Sequence, residues 1–147
     1  MDDEKEINEI FHEHSQKKLK KNKYGVLVKW YPDVFKQIES SLPMPYYLFG
    51  FECHEGWYDI LDRLAAKINF ELGEDPEVKE HFFISQIKEK YGSLRFYVFG
   101  ETINISEAIE EAEQESLTTC EMCGEKGRIR KEGGWYMVRC EKCWEKE

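Results

Sequence analysis

The sequence predicts an α+β protein: a small mixed helix and β-hairpin core that carries a C-terminal treble-clef-like or zinc-ribbon module. Three observations predict it. Residues 56–72, "GWYDILDRLAAKINFEL", place apolar side chains at helical spacing. Residues 81–100, "HFFISQIKEKYGSLRFYVFG", read as two strands around a glycine turn. Residues 118–147 hold Cys120-x2-Cys123 and Cys140-x2-Cys143 on either side of a second hairpin pattern.

Residues 1–23 form a charged N-terminal helix or arm. Ile7, Ile10, Phe11 and His14 fall at helical spacing. The segment ends in "KKLKKNK", a lysine run that suits a solvated helix end, with an acidic-partner or nucleic-acid contact as the alternative. The α+β core spans residues 24–117, because the aromatic residues cluster between Tyr24 and Phe99. Tyr24, Val26, Val28 and Trp30 alternate, which favours a strand over a helix of nearly equal merit. Pro32 suits a first helical turn, with Val34, Phe35 and Ile38 sharing one face before Pro43 and Pro45 stop it.

In the long helix, Trp57, Ile60, Leu61, Leu64, Ala65 and Ile68 form the buried stripe, and Gly73 ends it. The following hairpin turns at Tyr91-Gly92. Phe96 and Val98 face one side, Tyr97 and Phe99 the other, so both faces are expected to be at least partly covered. Lys88, Lys90 and Arg95 surround its turn and read first as a solvated tip. A second helix, "NISEAIEEAEQES", takes Asn104 or Ser106 as its cap and buries Ile105, Ala108, Ile109 and Ala112. Its outer surface is acidic. It runs almost directly into Cys120, so the module at 118–147 is expected to dock on the core.

Two residues between thiolates let one tight turn present both sulfurs to one ion at about 2.3 Å. Gly124 permits the left-handed backbone that closes such a knuckle. Gly133-Gly134 tips the hairpin that brings the two cysteine pairs together. The expectation is a structural Zn²⁺ held by Cys120, Cys123, Cys140 and Cys143, with no open position for chemistry. The alternative, two disulfides, needs an oxidising compartment. Cys53 beside His54 reads as a buried or unpaired thiol, and His12, His14 and His81 are not expected to be ligands.

In that hairpin Arg128 falls opposite Arg139, Arg130 opposite Met137 and Glu132 opposite Trp135. One face then carries three arginines and a tryptophan, and like charges directly opposite need an anion. The candidates are the zinc-thiolate centre with the acidic 107–115 helix, a nucleic-acid phosphate, or an acidic partner protein. Arg128, Arg130, Trp135 and Arg139 are the candidate partner-binding residues.

The net charge is −9, and zinc with four thiolates would take it to about −11. Such a balance disfavours general nucleic-acid coating and suits a basic protein surface. "MDDEKEINEI" is no secretory signal and "MPYYLFGF" is too short to span a bilayer, so a cytoplasmic protein without a membrane role is expected. Glu52, Glu55, Asp59 and Glu89 are acids without a matched nucleophile or open metal, and Asp59–Arg63 fits a helical pair. A non-enzymatic binding protein is therefore expected, with a nucleic-acid-binding regulator as the alternative.

"FECHEGWYDILDRL", "QIKEKYGSLRFYV" and "TCEMCGEKGRIRKEGGWYMVRC" together resemble a family of small proteins found in phages, prophages and bacterial genomes. The resemblance covers about residues 46–143. Its markers are Gly56-Trp57, the Lys88–Tyr97 hairpin and the cysteine module; family relatives end in Cys-x-x-His where this chain has Cys140-x-x-Cys143. The resemblance implies a mobile-element setting. By analogy with small acidic phage proteins, it extends to inhibition of a bacterial defence system such as CRISPR.

Overall fold

The computed structural model describes residues 23–36 and 50–146. The expected N-terminal helix with His12 and His14, the lysine run before Lys23, and Ile38, Pro43 and Pro45 lie outside them. The described residues form five helices, a three-stranded sheet and a two-stranded sheet, a mixed α+β protein.

The first element is a helix, α1 (Gly25–Trp30), not the favoured strand. Tyr24 and Leu27 are fully buried while Val26 and Trp30 are exposed, so the chain buries a spacing of three rather than of two. Pro32 opens turns rather than the expected helix, and Val34 and Phe35 are buried from that irregular segment. A short strand, β1 (Phe51–Glu52), leads through a 3₁₀ turn at Glu55–Trp57 into α2 (Tyr58–Leu72). The stripe Trp57, Ile60, Leu61, Leu64, Ala65, Ile68 is buried as expected. Gly73 ends the helix with φ +56°, a conformation open chiefly to glycine.

A further helix, α3 (Pro76–His81), has Pro76 in its first turn and Asp75 as its cap, the carboxylate accepting from Glu77 N at 3.0 Å. Next come β2 (Phe83–Lys90), β3 (Ser93–Phe99) and α4 (Ile103–Ser116). The cap of α4 is Thr102, whose Oγ1 accepts from Ile105 N at 3.2 Å; Asn104 instead donates to Glu71 at 3.1 Å. This replaces the Asn104 or Ser106 cap, because the helix begins one residue before Asn104. Last are β4 (Arg128–Glu132), β5 (Trp135–Arg139) and α5 (Glu141–Glu145).

The larger sheet has the order β1-β2-β3, with β1 parallel and β3 antiparallel to β2. Ile84, Ile87, Leu94 and Phe96 are buried and join the stripes of α2 and α4 in one core. Each such side chain contributes roughly 1.5–3 kcal/mol by leaving water. On the opposite face Tyr97 and Phe99 are 40% and 52% exposed, so that face is partly covered, as the alternating aromatics implied.

α4 also closes the free edge of β3. Ser116 Oγ accepts from Leu94 N at 2.9 Å and Glu113 Oε2 accepts from Phe96 N at 3.0 Å. Both are ladder donors that face away from β2, and an uncovered edge of this kind invites pairing with another chain. Arg63 does not pair with the Asp59 carboxylate. It donates to the Asp59 carbonyl at 3.2 Å and grips Glu115 on α4 through both terminal nitrogens.

Candidate metal centre

The knuckle begins as α4 ends. Gly124 N donates to Cys120 O at 2.9 Å, and Gly124 takes φ +86°. The hairpin β4–β5 follows with the expected register: Arg128 opposite Arg139, Arg130 opposite Met137, Glu132 opposite Trp135. Gly133 and Gly134, both at positive φ, make a two-residue turn that matches strand twist. Cys140 then caps α5, its Sγ accepting from Cys143 N at 3.4 Å. A knuckle, a hairpin and a helix whose first turn carries the second pair follow treble-clef order rather than that of a ribbon with two knuckles.

The four sulfurs of Cys120, Cys123, Cys140 and Cys143 lie within 4.8 Å of one another. Cys123 and Cys140 are 3.5 Å apart. A tetrahedron with arms of about 2.3 Å has edges of about 3.8 Å. The cluster therefore has the size and the soft donors to hold one metal ion. Burial pushes the Cys120 thiol up, but hydrogen bonds from the backbone of Cys140, Cys123 and Met122 outweigh it and draw it down to about 7. Cys143 is pushed up to about 12, chiefly by its hydrogen bond with Cys140. The set thus holds one thiol whose ionisation is eased and another whose proton a cation would displace.

The arginine face does not meet the acidic helix. The helix carboxylates are engaged elsewhere, Glu111 with Lys67, Glu113 with Phe96 N and Glu115 with Arg63. Arg130 turns inward, donating to Arg139 O at 3.1 Å and Glu141 at 2.9 Å, with its guanidinium 5.2 Å from the Trp144 ring. It holds the Glu141 carboxyl below the usual range. Arg139 is buried against Glu121 at 3.5 Å. Of the four candidate partner-binding residues, Arg130 and Arg139 are thus anchored within the module. Arg128 is solvent-facing, 3.9 Å from Glu141, and Trp135 is 76% exposed. The acceptors that the sequence reading missed, Glu121 and Glu141, each follow the first cysteine of a pair; the repeated Cys-Glu-x-Cys was the available signal.

The module is seated on the core by close backbone contact. Gly56 N donates to Glu121 O at 2.7 Å, Trp57 Nε1 to Thr119 O at 2.9 Å and His54 N to Glu121 Oε2 at 3.0 Å. A Cβ at Gly56 would stand 2.2 Å from Cys120 O. At the other end, a Cβ at Gly92 would meet Ile129 Cδ1 at 2.6 Å. Gly56-Trp57, the Tyr91-Gly92 turn and the cysteine module, far apart in sequence, meet at this junction.

A cleft of about 440 Å³ opens there, lined by Glu52, Cys53, Glu89, Glu121, Trp135 and Arg139 among others. Burial, then the charges of Glu121, Glu52 and Glu89, push the Cys53 thiol up to about 12, against a hydrogen bond with Tyr24 that pulls it down. Cys53 contacts the Tyr24 hydroxyl at 3.6 Å, and Tyr24 in turn donates to His54 O, so the Cys–His neighbours form no activated nucleophile. His81 is engaged with Glu77 O at 2.7 Å, and Glu55 accepts from Lys23 N. No helix among the described residues is long and apolar enough to cross a membrane. The chain is, in class, an α+β protein with a C-terminal cysteine cluster able to hold a metal ion. No family model, curated protein or solved structure matches it.

Proposed function

We propose that this chain is a zinc-stabilised, non-enzymatic binding protein of the cytoplasm that acts through a protein partner. Zn²⁺ suits four thiolates and leaves no open coordination position, so its role is to hold the hairpin. The observation that carries the reading is Trp135, 76% exposed beside a cleft that also presents Glu52 and Glu89. An exposed tryptophan on a rigid hairpin is the residue type that dominates protein interfaces, and the carboxylates favour a basic partner surface.

The mobile-element setting and the inhibition of bacterial defence belong to the same proposal, and make a defence effector such as a CRISPR nuclease the first partner class to test. Affinity capture with the zinc-loaded chain, compared with Trp135→Ala, is the experiment. Support is one protein retained by the parent chain and lost with the variant. Identical captures, or none, count against the reading. Metal analysis of the purified chain is expected to return one zinc per chain.

The alternative, a nucleic-acid regulator built on Arg128, Arg130, Trp135 and Arg139, draws less support, since Arg130 and Arg139 already have protein acceptors.

A further inference from the structure

The outer face of the β1-β2-β3 sheet carries a second set of cations. Lys88 stands directly opposite Arg95 in the register, and Lys90 follows on the same strand face. Like charges opposed in this way are unfavourable without an anion. Among the described residues none of the three joins an ion pair. Two carboxylates stand near: Glu52, in register with Lys88 from β1, takes Gln86 Nε2 at 3.1 Å, and Glu113, whose carboxyl burial pushes up and the Arg95 charge draws down, takes Phe96 N, so two acids face three cations. Arg95 Nε is buried with no acceptor. That nitrogen is closed to a ligand, and the Arg95 charge bears on Glu113, so Lys88, Lys90 and the rest of the Arg95 guanidinium are what the face offers.

Aromatic rings are interleaved with these cations. Lys88 Nζ lies 5.9 Å from the Tyr97 ring and Lys90 Nζ 5.7 Å from the Tyr91 ring. Phe99 stacks on Phe83 at 4.8 Å yet is half exposed. Tyr91 is 69% exposed and adopts φ +53°, a left-handed conformation that bulky residues seldom take. The hairpin thus displays a tyrosine where asparagine or glycine would fit with less strain.

We propose that this sheet face binds single-stranded nucleic acid, with phosphates at Lys88, Lys90 and Arg95 and bases stacked on Tyr91, Tyr97 and Phe99. Cations along a groove and rings for successive bases are the two parts of such a platform. A duplex hides its base faces, whereas a single strand offers them to successive rings. The net charge of −9 opposes the approach at long range. Beyond about 8 Å that field is screened at physiological salt, which leaves the local contacts to decide. The surface adjoins the Trp135 cleft at Glu52 and at the Tyr91-Gly92 turn, but its residues are not those of the protein-partner reading, so this proposal does not depend on it.

The test is fluorescence anisotropy of the full, metal-loaded chain with a labelled oligothymidylate of about 15 nucleotides, between about 50 and 200 mM salt. The expected log–log salt slope is about −2, from three phosphates at about −0.7 each. Arg95→Gln is expected to lessen the slope by about 0.7. Tyr97→Ala is expected to weaken binding about tenfold, within the range for one lost stacking base. Should that variant fold poorly, Tyr91→Asn keeps the left-handed turn and is expected to weaken binding as well. No saturable binding at the lowest salt would overturn the proposal, as would duplex bound equally well. Loss of affinity in the cation variants but not in the tyrosine variants would also overturn it, in favour of phosphate contacts without stacking.

Discussion

Gly56 has no room for a side chain. Any Cβ there would lie 2.2 Å from Cys120 O and 2.3 Å from Glu121 O, both backbone atoms fixed by the knuckle. Gly56→Ala should therefore cost at least about 3 kcal/mol and part the module from the core, a result read from the denaturation midpoint and from the indole signal of Trp57. Cys53 makes the opposite case, a reactive residue type kept inert. Its thiol is pushed up to about 12 by burial and neighbouring carboxylates. A raised acid favours its neutral form, so its contribution to stability is full below the free-thiol value of about 8.5 and is lost as pH rises toward 12. Iodoacetamide at about pH 8 should leave Cys53 largely unmodified in the metal-loaded chain, as mass spectrometry would show; rapid alkylation would refute the shift. The adjacency Cys53-His54 suggested chemistry in the sequence. What decides it is burial, which outweighs the pull of the Tyr24 hydroxyl, some thirty residues away, that reaches both the thiol and the His54 carbonyl.

Elements were legible where their pattern was long. The α2 stripe and the β4–β5 register follow from periodicity and from the Gly133-Gly134 turn, because a one-residue slip would invert every face, whereas the shift between Ile84 and Gln86 in the β2–β3 register left no signal in the pattern. α1 was misread because six residues cannot separate a period of two from one of 3.6. The partners of the arginines were hidden for a different reason. Glu121 and Glu141 lie off the strands, and only knuckle and helix-cap geometry bring them to Arg139 and Arg130. Two element-level consequences follow. Ser116 is fully buried and its Oγ satisfies the Leu94 N–H, so Ser116→Ala should strand that donor and cost about 1–3 kcal/mol by chemical denaturation. Glu121 and Arg139 form a buried pair, and Glu121→Ala should cost about 3–5 kcal/mol by removing a carboxylate that serves both Arg139 and the His54 N–H. A double replacement by apolar residues of similar volume should recover part of that loss, which a charge-independent packing role would not allow.

Across the whole molecule, two halves are stabilised by different physics. The apolar cluster runs from Tyr24 to Ala112, whereas residues 118–146 contribute only Cys120, Val138 and Cys140 to the buried apolar set. For a segment with so little interior, an ion at the four cysteines would supply most of the folding free energy, roughly 10–16 kcal/mol in comparable peptides. The sequence showed this division through the position of its aromatics and cysteines. It did not show how tightly the halves touch, because Gly56, Trp57 and Gly92 meet the module through backbone atoms that no side-chain pattern encodes. Removing the metal with a chelator should therefore expose the module first. In hydrogen exchange, amides from Cys120 to Trp144 should lose protection while α2, α4 and the β2–β3 hairpin keep most of theirs. The Trp57 indole, donor to Thr119 O, should report the separation by a fluorescence change. Acid should act in the same direction, since thiolates must be deprotonated to hold the ion and protons compete as pH falls. Collapse of core protection in the same step as metal loss would refute the division and make the ion a staple for the entire fold. Separate steps would show a core that folds by burial, with a module that folds by coordination and is held in place by Gly56 and Trp57.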